Sequence, residues 1–227
     1  MKYYLLNPTG NITALVRGDA AADKIMQSEP SCEQLGYLFE REGADIAMRM
    51  AGGEFCGNAA MCAAYIRALE SNKEKLTVKV FVEGTGTVEV EINGNRGTVS
   101  MPPPVETGEL NGFPLVRFKG IDHIIIEKSR AAEIKKNAEA LIRQWCTGDA
   151  LGFMFLEDDG LKPLVYVKSA GTLFWESSCA SGTTAVGHWL GKPVKLRQPC
   201  GGILSYDNGK LTGTVELIKT VELQPDK

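Results

Sequence analysis

One pattern occurs twice in this chain, and that repetition limits the folds open to it. Gly10-Asn11-Ile12-Thr13-Ala14-Leu15-Val16 reads as a turn entering a strand, and Gly120-Ile121-Asp122-His123-Ile124-Ile125-Ile126 reads the same way. A cysteine turn follows in each half: Glu54-Phe55-Cys56-Gly57-Asn58-Ala59-Ala60, then Glu176-Ser177-Ser178-Cys179-Ala180-Ser181-Gly182. Small and apolar residues suited to helices come next, over 61–69 and 183–190. Each half then carries a hairpin pattern, one around Asn93-Gly94 and one around Asn208-Gly209. An Asn-Gly pair between alternating strands is the strongest short hairpin signal.

Two copies this diverged predict two lobes rather than a solenoid. The expected class is α/β (α+β). Each lobe is a mixed or antiparallel sheet around a central helix, the lobes are pseudo-symmetric, and the active site lies in the cleft between them. The first lobe is placed at 1–113, with 214–227 free to join it, and the second at 114–213. The seam holds the turn formers Pro102-Pro103-Pro104, Gly108, Asn111 and Gly112. Amphipathic helices are predicted over 31–42, capped by Ser31, and over 129–145. Segments 78–82, 164–167 and 213–223 read as strands, as does the start of the chain.

Bulk properties narrow the function. The 227 residues suit two lobes of about 100 each. Apolar residues make up 44% and charged residues 23%, a globular balance. A net charge of −3 with no basic stripe argues against nucleic acid. No apolar run approaches the roughly 18 residues that would cross a bilayer, and the opening stretch is too short for a signal peptide. A cytoplasmic protein is therefore expected, with Cys32, Cys56, Cys62, Cys146, Cys179 and Cys200 as free thiols. They form no CxxC pair, which argues against a structural zinc site, and with no ligand cluster and no lysine in a cofactor motif neither a metal nor a cofactor is implied.

The cysteine turns carry the chemistry. A cysteine at a helix start meets free N–H groups and the positive end of the helix dipole, which lowers its pKa toward neutrality. The same N–H groups suit a carboxylate. Two such turns face to face would place one thiol on each side of the carbon beside that carboxylate. A thiolate would remove the α-proton from one face and a thiol would protonate the other. The enediolate-like transition state would be held by the paired N–H groups. That is cofactor-independent racemisation or epimerisation, with Cys56 and Cys179 catalytic and coupled in their titration.

Other residues are read against plainer roles. Cys32, Cys62, Cys146 and Cys200 are expected as small buried apolar residues. Glu54 and Glu176 either contact substrate and orient the thiols or are ordinary exposed carboxylates. His123 either lines the cleft or caps a strand, and His188 is packed or solvated. Asn11 and Asn58 are turn formers or ligands. Ser181 is a helix-start residue or a hydroxyl donor.

At these residues the chain resembles the diaminopimelate epimerase superfamily nearly end to end. Gly10-Asn11, Cys56-Gly57-Asn58-Ala59-Ala60-Met61-Cys62, Asp122-His123, Cys179-Ala180-Ser181-Gly182 and Gln198-Pro199-Cys200-Gly201-Gly202 carry the likeness. The resemblance implies the two-lobed diaminopimelate-epimerase-like fold, Cys56 and Cys179 as base and acid, and Gly57, Asn58, Ala180 and Ser181 as carboxylate-cradling backbone. Asn11, His123, Glu54 and Glu176 complete the expected substrate-binding set. Ser169-Ala170 stand where the epimerases carry a Glu-Arg pair that grips a distal carboxylate. A nearer likeness is to the histidine racemase family of opine-type metallophore synthesis. It runs through 6–13, 32–36, 53–59 and 173–183. It implies a single-carboxylate amino acid, with histidine as a candidate.

The alternatives are diaminopimelate epimerisation, a proton-shifting isomerase on the same fold, a redox protein pairing the two cysteines, and a non-catalytic amino-acid binder. The expected partner is a small amino acid, with neither nucleic acid nor membrane, and a homodimer is allowed.

Overall fold

Strand and helix follow the repeat of the sequence. The computed structural model describes residues 2–18, 22–169 and 171–222. Ala170 and, at the end of the expected strand 213–223, Leu223, with the remainder of segment 223–227, lie outside the described residues. Contacts divide the chain into two units, Met1–Met101 with Thr212–Lys227, and Pro102–Leu211. The first break falls at the proline run, and the strand after it pairs forward with the second unit.

The first unit opens with β1 (Lys2–Pro8), β2 (Thr13–Arg17), the short helix α1 (Ala22–Ser28), β3 (Gln34–Phe39) and β4 (Ile46–Met50). Helix α2 (Gly57–Glu70) follows, then β5 (Lys75–Val82), β6 (Gly86–Asn93) and β7 (Arg96–Ser100). The alternation of Val88, Val90 and Ile92, buried, with Glu89 and Glu91, exposed, gives β6 one core face and one wet face. Its hairpin to β7 turns at Gly94-Asn95, one residue later than Asn93-Gly94, because Asn93 already pairs with Arg96.

The second unit holds β8 (Glu106–Leu110), β9 (Phe113–Phe118), β10 (Ile121–Ile126), α3 (Ala131–Lys135), α4 (Ala138–Trp145), β11 (Ala150–Leu156), β12 (Leu161–Val167) and β13 (Thr172–Trp175). Helix α5 (Ala180–Leu190) and the hairpin of β14 (Val194–Arg197) with β15 (Ile203–Asp207) complete it. The order β8 to β13 forms a six-stranded sheet. Phe153, Phe155, Ile124, Ile126 and Leu164 pack under α3 and α4. A left-handed Asn208-Gly209 turn, at φ 50° and 79°, leads into β16 (Lys210–Glu222). Left-handed backbone at both turn residues is what asparagine and glycine supply most cheaply.

β16 pairs antiparallel with β1. With the sequential pairings from β1 to β7 and the adjacency of β7 to β16, the strands of the first unit close into a ring. Closure leaves no open edge in that ring. Helix α2 is buried along most of its length, with Ala59, Ala60, Cys62, Ala63, Ala64 and Ile66 inside, and it packs on β1, β2, β4, β5, β6 and β7. A helix apolar on nearly every face is one enclosed on nearly every face.

The repeat is visible in the pairing. β1–β2 is antiparallel, β2–β3 parallel and β3–β4 antiparallel. β9–β10, β10–β11 and β11–β12 repeat that sequence of directions. Each parallel step passes through helix, α1 in one unit and α3–α4 in the other.

Two expected helices change. Segment 31–42 is a strand at its centre, not a helix. Gly36 stands so close to Arg49 O and the Leu15 side chain, both 3.0 Å from where a Cβ would be, that only extended, side-chain-free backbone fits. Pairing with β2 and β4 overrides the helical spacing. Segment 129–145 is helical but broken at Lys136-Asn137 into α3 and α4. Among the described residues no helix is long and apolar enough to cross a membrane.

Candidate active site

Both cysteines are helix N-caps of nearly the same conformation. Cys56 precedes α2 with φ −125° and ψ 110°, and Cys179 precedes α5 with φ −130° and ψ 108°. Each sulfur accepts a backbone N–H three residues on, from Ala59 and from Gly182, both at 3.4 Å. A capping side chain is normally an oxygen, so a sulfur cap at both helix starts is an unusual choice for helix stability alone. The helices start earlier than the 61–69 and 183–190 stretches suggest. Gly57 and Asn58, and Ala180 and Ser181, therefore form the first helical turns, where N–H groups lack intrahelical acceptors.

Around Cys56 a polar chain runs inward. Its thiol donates to Gln34 Oε1 at 2.9 Å. Asn58 Nδ2 donates to Asn11 Oδ1 at 3.3 Å, and Asn11 Nδ2 donates to Glu33 Oε2 at 2.9 Å. Asn58 Oδ1 is buried with no hydrogen-bond partner among the described residues, an acceptor left open beside the helix start. Glu54 is partly covered, and its burial raises its pKa against the pull of a hydrogen bond from its own backbone.

Around Cys179 the arrangement differs. Its backbone N–H, not its sulfur, meets a glutamine: Gln198 Oε1 accepts it at 3.0 Å. Gln198 Nε2 in turn donates to Thr183 Oγ1 at 3.1 Å, and Thr183 Oγ1 donates to Cys179 O at 2.8 Å. The sulfur has Ser181 Oγ at 3.6 Å. Burial pushes the Cys179 thiol well above the ordinary cysteine value, and the Glu176 carboxylate pushes it further. The bonds from Ser181 and Gly182 pull the other way and lose. The expected fall toward neutrality is thus reversed here. With 5% exposure, desolvation outweighs the helix N-terminus.

His123 is fully buried on β10, and both ring nitrogens lack a hydrogen-bond partner among the described residues. Burial lowers its pKa to about 3, so it is a neutral imidazole. It lies against Phe118 and beside Gly152, where a Cβ would come within 2.5 Å of Nδ1. Met154 continues the row: its methyl faces Gly152, and its sulfur fills the space where a Gly182 side chain would stand, a Cβ there also coming within 3.2 Å of Cys179 Sγ. His188 is exposed, with Nδ1 3.4 Å from Tyr206 Oη.

None of the six cysteines is in a disulfide. Cys32, Cys62 and Cys146 are buried, whereas Cys200 is exposed, against expectation, because it rides on a surface turn whose Gly202 N–H caps its sulfur at 3.3 Å. Among the described residues no three His, Cys, Asp or Glu side chains are grouped to hold a metal ion.

Sequence reasoning missed Gln34 and Glu33, which meet Cys56 and Asn11, and Gln198 and Met154, which lie beside Cys179. Reading 31–42 as a helix hid the first two. Alternation around β3 could have exposed Gln34 as the residue facing inward at the strand's start.

Residues 1–206 match the family model described as the histidine racemase CntK N-terminal domain. The chain belongs to this family. A histidine racemase from Fusobacterium nucleatum subsp. nucleatum is 31% identical, covering 96% of this chain and 94% of its own. One from Staphylococcus aureus is 28% identical over 87% and 85%. Among solved structures, a probable proline racemase from Agrobacterium radiobacter K84 superposes with a TM-score of 0.66 at 13% identity, covering 99% of this chain and 93% of that one. A PhzF-family phenazine biosynthesis protein from Bacillus anthracis gives 0.68 at 11%, covering 99% of each. These structures share the fold. Membership of the histidine racemase family makes the protein an isomerase, an amino-acid racemase or epimerase acting on a small-molecule amino acid.

Proposed function

We propose that the protein racemises histidine without a cofactor, using Cys56 and Cys179 as a two-base pair. The observation that carries this reading is the matched pair of sulfur N-caps, alike in dihedral angles and in the N–H each sulfur accepts. Histidine comes from the family and from the relatives at 31% and 28% identity.

In the forward direction one thiolate takes the α-proton and the other thiol gives one to the opposite face. The mechanism requires both sulfurs to reach one α-carbon. Gly57, Asn58, Ala180 and Ser181 would cradle the carboxylate with their N–H groups, and the open Asn58 Oδ1, held by Asn11, would accept from the substrate ammonium. Glu54 and Glu176 would orient substrate and thiol. His123, a neutral imidazole, would line the site as an uncharged group rather than as a charged contact. Six cysteines outside any disulfide suit work in the cytoplasm, where a homodimer is allowed.

The test is to incubate reduced protein with L-histidine and a panel including diaminopimelate in D₂O, following the α-proton by NMR and enantiomers by chiral chromatography. Exchange and D-histidine are expected. Exchange with another amino acid alone overturns the substrate, and exchange with none overturns the catalytic reading.

A further inference from the structure

The two turns are alike in backbone and unlike in what meets the sulfur. At Cys179 a glutamine holds the backbone N–H, and sulfur sees a hydroxyl and a carboxylate. At Cys56 a glutamine side chain meets the sulfur itself. We propose that Gln34 is the positioning residue of Cys56, an amide that serves both protonation states of the thiol by turning over. The proposal rests on the catalytic reading of Cys56.

The chemistry explains why an amide suits this place. In a two-base cycle Cys56 must be thiolate at one stage and thiol at another. As thiol it donates S–H to Gln34 Oε1, the arrangement observed at 2.9 Å. As thiolate it needs a donor, and Nε2 of the same amide occupies nearly the same place after a half turn about the last side-chain bond. When the thiolate takes the α-proton, the substrate C–H bond breaks and an S–H bond forms. The electron pair passes into the substrate carboxylate as an enediolate, and the amide changes from donor to acceptor. A carboxylate at position 34 would favour only the thiol, and a lysine only the thiolate.

The backbone is fit for this role. Gln34 opens β3, its N–H reaches Ile12 O at 3.2 Å, and its carbonyl accepts the Cys32 thiol at 3.0 Å. The parallel pairing of Thr13 with Gln34 fixes its register, so the freedom left is in the side chain. Of the other titratable groups here, Cys62 on α2 is kept protonated by burial, Glu33 is tied to Asn11, and Glu54 lies just ahead of the turn.

The experiment labels cysteine with ¹³C at Cβ and follows the Cys56 resonance with pH, the signal being assigned by its loss in Cys56→Ala. In Gln34→Glu the Cys56 midpoint is expected to rise by about one pH unit or more, and the rising limb of kcat/KM should move with it. In Gln34→Met kcat should fall about tenfold in both directions with KM within about twofold, and the thermal midpoint should hold. An unmoved Cys56 titration in folded Gln34→Glu, or wild-type kcat in Gln34→Met, overturns the role of Gln34 alone. Inversion that survives Cys56→Ala overturns the two-base reading, and with it the catalytic purpose of Gln34.

Discussion

Gly152 and His123 are neighbours on paired strands, set so closely that a side chain at 152 would meet the imidazole: a Cβ there stands 2.5 Å from Nδ1. The absent side chain leaves room for the buried imidazole. Gly152→Ala should displace His123 and cost about 1–3 kcal/mol, read as a lower midpoint in urea. Unchanged stability would mean that the ring moves aside freely.

His123 also sets an acid limit. Its folded pKa, about 3, lies below the ordinary 6.5 because burial disfavours the cation. The unfolded chain therefore binds a proton first as pH falls, and stability is lost from about pH 6.5 downward toward the folded value. The His123 imidazole resonances should stay constant from pH 8 to 4, and His123→Met should flatten the decline of urea stability over that range. A His123 resonance, assigned by its loss in His123→Met, that titrates near 6.5 would contradict the burial.

Replacing either capping sulfur tests the mechanism. Cys56→Ala and Cys179→Ala should each reduce inversion by a factor of about 10²–10⁴, the usual reach of one positioned acid or base. Circular dichroism should show both variants folded. Near-wild-type racemisation in either would remove that thiol from the reaction.

Glu176 raises the Cys179 thiol after burial has done so, through its charge and as a hydrogen-bond acceptor. Glu176→Gln removes the charge, so the thiol pKa should fall and the rising limb of kcat/KM should move to lower pH. A profile that stays in place would show that the limb belongs to another group.

Away from the thiols, Glu29 is held by Tyr3 Oη at 2.5 Å and Lys219 Nζ at 2.8 Å. Burial raises its pKa, and the bonds from Lys219 and Tyr3 lower it by more. Stability from this depressed carboxylate is present above its unfolded pKa and lost as pH falls through the folded one. Lys219→Met should lower stability slightly at pH 7, since the lysine is half exposed, and by less as acid protonates Glu29. Equal losses at pH 7 and in acid in urea titrations would deny the ion pair.

Local chemistry was enough to read the repeat, the cysteine turns, the Asn208-Gly209 hairpin and the class of reaction. Each depends on residue types a few positions apart: a left-handed turn wants Asn-Gly, and a sulfur at a helix start meets N–H groups whatever surrounds it. Tertiary structure decided the rest. Segment 31–42 has helical spacing, yet it is a strand because β2 and β4 flank it and Gly36 is pressed by Arg49 and Leu15. The partners of the thiols, Gln34 twenty-two residues before Cys56 and Gln198 nineteen after Cys179, are brought near only by strand pairing. The sign of the Cys179 shift was likewise out of reach, since the helix start is local but the desolvation that outweighs it comes from packing of the whole unit.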